Sequence, residues 1–265
     1  RTWDVANFPG ALIADNVILS ARSLLIEEGA VIESGVVLDV EDAVIRSGSR
    51  IGAKTNIQTK SFILSKGAVV GTEVQIDLAG GAFPDSCLFV GPLSLIGGRA
   101  MINTCREVVL ERESAISPSA NLFTHSFWQS MLEGYSANFK PIRLQEKAWI
   151  GAGCQILPGV TIGQGAILMS NSTATEDVPS ESMAGGVPAS VLKYPVVKRL
   201  TLEQQRKRIL NAFTDWAQQL NAQGCNSSLK EGCLHVSLPD GTHQSISVKL
   251  SGETLLLVLS NGAQF

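Results

Sequence analysis

Aliphatic residues recur every six positions along much of the chain. Between residues 26 and 76 they form triplets, and each triplet begins 19 residues after the previous one. The spacing resumes after two interruptions and ends at Leu168. The recurring aliphatic positions are Ile13, Leu19, Ile26, Ile32, Leu38, Ile45, Ile51, Ile57, Leu64, Val70, Ile76, Val90, Ile96, Ile102, Leu110, Ile116, Leu122, Leu144, Ile150, Ile156, Ile162 and Leu168.

The fourth residue after most of these positions is small or β-branched, as at Ala30, Val36, Ser49, Thr55, Ala68, Ser94, Ala120, Ala148, Cys154 and Ser172. A period of six fits neither an α-helix, whose period is about 3.6, nor a strand that alternates over a longer run. It predicts an all-β solenoid in which each hexad forms one short strand, with the aliphatic residue inside and the small residue at a corner. Three hexads make one triangular coil, and coils of 19 residues carry one extra residue at a corner.

Two segments break the pattern. The first, AGGAFPDSC at residues 79–87, contains Gly-Gly and Pro and predicts a turn or protruding loop. It separates an N-terminal stack, residues 1–82, from a second stack, residues 88–194. The second break is LFTHSFWQSMLEGYSANFKP at residues 122–141, for which we expect a loop over residues 125–143.

The hexads end near Pro195, and residues 195–265 follow a different pattern. Thr201 and Gln204 form a capping box, apolar residues follow at helical spacing, and Gly224 closes the predicted helix. The remaining residues alternate through two turns, PDG and SGE. This predicts a small antiparallel β meander of about three strands.

Composition excludes several classes of protein. The chain is 45% hydrophobic with a formal charge of −3, which is typical of a globular protein and argues against nucleic acid as the main partner. Uninterrupted apolar runs are too short for a membrane span, and the first residues lack the order of an export signal. Five cysteines without metal-type spacing favour reduced thiols, no metal site and a cytoplasmic location.

Two segments of the second stack carry a resemblance. AWIGAGCQILPGVTIGQGAI at residues 148–167 and EDVPSESMAGGVPASVLK at residues 176–193 resemble the hexapeptide-repeat acyltransferase superfamily, most closely the branch of galactoside, maltose and xenobiotic acetyltransferases. The resemblance covers about residues 88–194. It implies a left-handed parallel β-helix and a homotrimer that binds acetyl-coenzyme A (acetyl-CoA), as acyl donor, in a groove between neighbouring subunits.

The same resemblance assigns roles to individual residues. His125 takes the place of the catalytic histidine at the base of the loop, where an imidazole can accept the proton of an attacking hydroxyl or amine. Asn103 matches an asparagine that faces the acceptor, although an asparagine that satisfies a coil corner explains it equally well. Trp149 matches the residue that walls the cofactor groove.

Three further positions match residues that contact the donor in the family. Ala152 and Ser170 match positions whose backbone groups meet the pantetheine arm, and Thr175 matches a threonine near the 3′-phosphate. The lysine that follows that threonine in the family is Glu176 here, and a carboxylate repels a phosphate.

Another cation must then replace that lysine, or the donor is an acyl carrier protein. The candidate cations are Lys193, Lys198, Arg199, Arg206, Lys207 and Arg208. If Arg206, Lys207 and Arg208 do not hold the donor, they form only a solvated face of the helix.

We therefore expect an acetyl-CoA-dependent O- or N-acetyltransferase that acts on a sugar or another small acceptor. The alternatives are a catalytically silent scaffold or trimerisation module, and a module of a longer enzyme. Aromatic residues of the loop contact the acceptor or a neighbouring subunit; they are Phe127, Trp128, Tyr135 and Phe139. Cys154 is expected to fill the core, and His235 and His243 to lie outside any site.

Overall fold

The structure, a computed structural model, describes residues 2–126, 129–197, 199–238, 241–251 and 254–259. The chain forms two compact units, Arg1–Val197 and Lys198–Phe265. The first unit is a stack of short parallel strands. Its strands are β1 Leu12–Ile13, β2 Ile18–Ile26, β3 Val31–Ile32, β4 Val37–Ile45, β5 Arg50–Ile51, β6 Asn56–Leu64, β7 Val69–Val70, β8 Gln75–Asp77, β9 Cys87–Val90, β10 Leu95–Ile96, β11 Met101–Asn103, β12 Val108–Leu110, β13 Ala115–Ile116, β14 Asn121–Leu122, β15 His125–Ser126, β16 Asn138–Phe139, β17 Ile142–Leu144, β18 Trp149–Ile150, β19 Gln155–Ile156, β20 Thr161–Ile162, β21 Ile167–Leu168, β22 Thr173–Ala174, β23 Met183–Gly186 and β24 Ala189–Lys193.

The stack is a triangular prism, and each of its three faces is built from parallel strands. One face consists of nine parallel strands, β1, β3, β5, β7, β10, β13, β18, β21 and β23, with β24 added antiparallel at the end. The other two faces run through β8, β11, β14, β19 and β22 and through β9, β12, β17 and β20. The nine-residue strands β2, β4 and β6 bend around the corner between these two faces, since β6 pairs with both β8 and β9.

The interior confirms the predicted period of six. Every recurring aliphatic position from Leu19 to Leu168 is at most 5% exposed, and the small residues at the corners are buried with them. Ile13, in the first coil, is half-buried. The predicted fold class, a β-solenoid of hexapeptide repeats, is therefore confirmed.

The extra residue of the 19-residue coils lies at one corner. The ladder between β4 and β6 passes from Val40↔Thr59 to Asp42↔Ser61, so Glu41 and Lys60 are skipped while the register stays the same. Arg22 occupies the same place in the preceding coil. Because each of these coils carries the extra residue at the same place, the insertion makes a local bulge at one corner and leaves the faces in register.

The second unit contains a helix and an antiparallel sheet. Helix α1, Leu202–Ala222, begins at the capping box of Thr201 and Gln204 and ends at Gln223, before Gly224 with φ 87°. Its buried residue Phe213 packs against the sheet. The strands are β25 Asn226–Lys230, β26 Cys233–Ser237, β27 His243–Ser251 and β28 Thr254–Leu259, and two short 3-10 helices of the first unit span Val5–Asn7 and Met131–Glu133.

The sheet has one strand more than the sequence predicted. The sequence of β25, NSSLK, shows no clear alternation, and its connection to β26 is a tight turn of Glu231 and Gly232, both with positive φ. Such a two-residue turn is typical of a hairpin and needs no Pro or Asn signal. Within the described ranges, every helix is too short or too polar to span a membrane.

Candidate active site

Both interruptions of the hexad pattern leave the solenoid at the same corner. Residues 78–86 follow β8, residues 104–107 follow β11 in the next coil, and residues 123–141 follow β14 in the coil after that. The second interruption folds back on itself, because β15 pairs antiparallel with β16 and sets His125 opposite Phe139. The sequence thus brings two loops together around His125.

The imidazole of His125 is held by Asn103 of the preceding coil. The Nδ1 atom of His125 lies 3.0 Å from Oδ1 of Asn103. The Asn103 side chain is buried, with 3% of the residue exposed, whereas His125 is half-buried. One ring nitrogen is therefore occupied inside the protein.

Asn103 is held in turn by the end of β8 and the loop that follows. Its Nδ2 atom donates to Oδ1 of Asp77 at 3.0 Å and to the carbonyl of Ala79 at 2.7 Å. Asp77 also accepts from the backbone N–H of Ala79, at 3.1 Å. A carboxylate, an amide and an imidazole from three successive coils thus form one hydrogen-bonded chain.

Two buried residues, Thr124 and Cys105, also bond to Asn103. The hydroxyl of Thr124 lies 2.6 Å from Oδ1 of Asn103, and the backbone N–H of Cys105 donates to the same oxygen at 3.3 Å. Cys105 Sγ lies 3.9 Å from Nδ1 of His125. Burial, reinforced by the nearby Asp77 carboxylate, raises the pKa of the Cys105 thiol.

Aromatic side chains of both loops form a wall beside His125. The Phe139 ring stacks on the imidazole, with centroids 6.2 Å apart and an angle of 21°. Phe83 of the first loop packs against Phe139 at 5.1 Å, and the guanidinium of Arg106 lies 4.8 Å above the Phe83 ring. Arg106 also approaches Asp85, with 3.1 Å between Nε and Oδ2.

Three of the residues assigned to the donor, Trp149, Ala152 and Ser170, lie on another edge of the prism. Trp149 is on the nine-strand face and is 43% exposed. Ala152 and Ser170 follow it at one corner of two successive coils, and both are exposed. The Asn171 N–H donates to the Ala152 carbonyl at 2.8 Å, so these coils are in close contact. Within one chain, these residues and His125 occupy different corners.

Thr175 and Glu176 lie at the same corner as His125, two coils further along. Both are exposed. A cavity of about 250 Å³ is lined by Glu176, Asp177, Val178, Ala184, Ala189, Ser190 and Val191. The lining residues described for this cavity include two carboxylates and no lysine or arginine, so they do not fit a phosphate.

The structure describes all the candidate replacement cations except Lys198. Lys193, at the end of β24, is exposed and does not line the cavity. Arg199 and the basic run of α1 belong to the second unit. Lys198, Phe127 and Trp128 lie outside the described residues.

Cys154 is buried at a corner of the solenoid. Its thiol donates to the carbonyl of Met169 at 3.0 Å, and burial raises its pKa. This environment suits packing rather than nucleophilic chemistry. No three possible metal ligands come together anywhere in the part of the chain that the structure describes.

Comparisons with known proteins give partial matches. No protein-family model matches the chain. A Schizosaccharomyces pombe protein named "Putative acetyltransferase" is 42% identical over 53 residues, which are 20% of this chain and 26% of that protein. "Putative colanic acid biosynthesis acetyltransferase WcaF" of Escherichia coli is 28% identical over 109 residues, 41% of this chain and 59% of that protein. The resemblance to hexapeptide-repeat acetyltransferases is confirmed. The chain spans less than two thirds of the length of these relatives.

Two solved structures of acetyltransferases also match part of the chain. The hexapeptide-repeat acetyltransferase of Vibrio cholerae, complexed with acetyl-CoA, is 24% identical over 45% of this chain and 63% of that chain, with a TM-score of 0.39. The maltose O-acetyltransferase of Clostridium difficile is 21% identical over 48% of this chain and 65% of that chain, with a TM-score of 0.42.

Sequence reasoning missed the first loop as part of the site. Asp77, Gly80 and Phe83 precede or belong to the break at residues 79–87, which the sequence predicted as a turn or protruding loop with no role in the site. An added Cβ on Gly80 would lie 3.0 Å from Cys105 Sγ and 3.1 Å from His125 Cγ. The available signal was that both interruptions of this hexapeptide-repeat chain follow the same position of a coil.

Proposed function

We propose that the protein transfers an acetyl group from acetyl-CoA to a hydroxyl or amine of a small acceptor, a sugar being the first candidate. His125 acts as the general base. The observation that carries the proposal is the hydrogen bond between His125 Nδ1 and buried Asn103, at the corner where the solenoid is interrupted. The named acetyltransferases among the curated relatives support the same reaction class.

The chemistry needs a proton acceptor beside the attacking atom. With Nδ1 engaged by Asn103, the lone pair of Nε2 takes the proton of the acceptor as the acceptor's oxygen or nitrogen bonds to the acyl carbon. Acetyl-CoA, when bound, supplies the thioester carbonyl and the thiolate leaving group. The proton on His125 then passes to the departing thiolate, so the enzyme returns to its starting state. A base of this type contributes about 10²- to 10⁴-fold.

The donor residues fit one end of acetyl-CoA better than the other. Exposed Trp149, with the exposed residues Ala152 and Ser170, suits a pantetheine arm lying along one corner. Glu176 and Asp177 do not suit a 3′-phosphate near Thr175. A cation elsewhere, Lys193 among them, then holds the phosphate, or an acyl carrier protein presents the same arm.

We also propose that the active protein is a homotrimer. Trp149, Ala152 and Ser170 lie away from the His125 corner of the same chain, so a site that combines them with His125 needs two subunits. Exposed apolar residues on the nine-strand face, such as Leu95 and Trp149, suit an interface. Light scattering should give a mass of three 28.1 kDa chains.

The test of function is an acceptor screen. The protein is incubated with acetyl-CoA and a panel of sugars and amines, and thiol release and acetylated product are both measured. Turnover with at least one acceptor that is lost in His125→Ala supports the proposal. A properly folded protein that binds coenzyme A but acetylates nothing when given acetyl-CoA or acetylated carrier protein would favour the scaffold alternative.

A further inference from the structure

We propose that Asn103 and Asp77 are positioning residues that fix the tautomer of His125, and that Asn103 does not bind the acceptor. The catalytic part of the inference rests on the proposed function. The structural part, the protonation of a particular ring nitrogen, does not. The two parts can therefore fail separately.

The orientation of the Asn103 amide follows from its partners. One end of the amide faces the Ala79 carbonyl and the Asp77 carboxylate, 2.7 Å and 3.0 Å away. Both partners are acceptors, so this end must be the NH₂ group. The opposite orientation would set three oxygens against one another in a buried place.

The orientation of Asn103 dictates the proton on His125. The other end of the amide is Oδ1, an acceptor, which receives hydrogen bonds from Thr124 and the Cys105 N–H. The imidazole nitrogen 3.0 Å from this oxygen must donate, so Nδ1 carries the hydrogen. In the neutral imidazole Nε2 then has a free lone pair, which is the form that a general base requires.

The negative charge of Asp77 does not touch the imidazole of His125. Asp77 bonds to Asn103, and Asn103 bonds to His125, so a neutral amide separates the carboxylate from the ring. Among the described residues, the side chains of Phe139 and Cys105 also lie beside the ring, and the Cys105 thiol has a raised pKa and is neutral near pH 7. The hydrogen bonds from Asp77 through Asn103 therefore fix the tautomer of His125 without placing a carboxylate in contact with its ring.

Asn103 has no hydrogen-bonding group left for an acceptor. Both hydrogens of Nδ2 are used by Asp77 and Ala79, and Oδ1 already receives His125, Thr124 and Cys105. The residue is 3% exposed. An acceptor would reach it only by breaking bonds that orient the base.

The tautomer is tested directly by nitrogen NMR of protein labelled at histidine. The chain has three histidines, and His125→Ala assigns the signal. At a pH where the imidazole is neutral, we expect His125 to carry its hydrogen on Nδ1 in the wild type. Asn103→Leu should lose this preference. Ser114→Ala, which removes a different buried hydrogen bond in the neighbouring coil, should keep it.

The exchange variant Asp77→Asn/Asn103→Asp separates positioning from general structure. It lets residue 77 donate to a carboxylate at residue 103, which still accepts from Nδ1. The second carboxylate oxygen then faces the Ala79 carbonyl, so circular dichroism must first show that the variant folds. The negative charge now touches the ring, so the acidic limb of the pH–rate profile should move up by about one unit or more. A role in structure alone predicts no such shift.

Kinetics give the second readout, with the best acceptor from the screen or with water as acceptor. In Asn103→Leu we expect kcat to fall at least about tenfold with the acceptor KM unchanged. Hydrogen on Nε2 in the wild type, or a raised KM with unchanged kcat, would overturn the inference. The expected tautomer in a protein without transferase activity would instead overturn the proposed function and leave the structural part standing.

Discussion

At the scale of single residues, the structure separates three histidines that the sequence could rank only by resemblance. His125 bonds to a buried amide, whereas His235 and His243 are exposed in the antiparallel sheet. The sequence singled out His125 and Asn103 because both match positions of the acyltransferase family that the chain resembles. It could not link them to Asp77, since residues 26 and 48 positions away become neighbours only through the stacking of coils.

The residue Glu176 gives a prediction about the donor. Glu176→Lys should strengthen binding of coenzyme A by about two- to fivefold, because an exposed charge pair contributes at most about 1 kcal/mol. It should leave binding of 3′-dephospho-coenzyme A unchanged. Glu28→Lys, an exposed change of equal charge in the first coils, is the control for net charge. Calorimetric titration measures all three proteins. Equal effects on both ligands would place the 3′-phosphate away from residue 176.

The residue Cys154 gives a prediction about packing. Cys154→Ala should retain transferase activity, because the thiol bonds only within the solenoid. Burial raises the pKa of the folded thiol, so the unfolded chain loses its proton first, near the ordinary value of about 9. The stability advantage of the wild type over Cys154→Ala should therefore shrink as the pH rises above about 9. Urea unfolding from neutral to alkaline pH checks this, and a loss of activity in the variant would contradict the packing role.

At the scale of elements, the hexad period predicted the strands well because one inward residue per strand suffices to define them. The corner bulge of the long strands also followed from arithmetic, since 19 exceeds three hexads by one. Strand β25 was missed because its polar sequence lacks the alternation that marked its neighbours. The break at residues 79–87 was predicted as a turn or protruding loop, and its contribution to the site depends on contacts across coils that no local pattern encodes.

A matched pair of glycines tests that loop. Gly80 and Gly81 both have positive φ, 98° and 114°, so alanine carries similar backbone strain at each. A Cβ at Gly80 would press on His125 and Cys105, whereas one at Gly81 meets open space. We expect Gly80→Ala to lower kcat by about 10- to 100-fold, because small displacements of a catalytic group have effects of this size. Gly81→Ala should lose stability without a comparable loss of kcat. Equal kinetic losses in the two variants would show that the contact with His125 does not matter.

At the scale of the whole molecule, the described residues form two hydrophobic cores that have no residue in common. One runs through the solenoid and the other joins α1 to its sheet. The sequence predicted this change near Pro195, since the period of six gives way to helical spacing there. It did not reveal which faces of the prism would meet other subunits in the proposed trimer, because inward residues define the period and outward ones are free to vary.

The two cores give a prediction about the basic run of α1. A chain that ends at Val197 should remain folded, because the solenoid core is complete without the second unit. If Arg206, Lys207 and Arg208 form a solvated face, the shortened chain should bind coenzyme A as tightly as the full chain. Circular dichroism checks folding and calorimetry checks binding. A folded, shortened chain with at least tenfold weaker binding would instead assign the phosphate to the second unit.

The most direct test of the central claim compares wild type with His125→Ala in one experiment. Coenzyme A binding and the rate of acetyl transfer are measured on the same samples, with His243→Ala as the control for an exposed histidine. We predict equal binding in all three proteins and a loss of transfer of about 10²- to 10⁴-fold in His125→Ala alone. Transfer by His125→Ala at the wild-type rate would contradict the assignment of His125 as the general base.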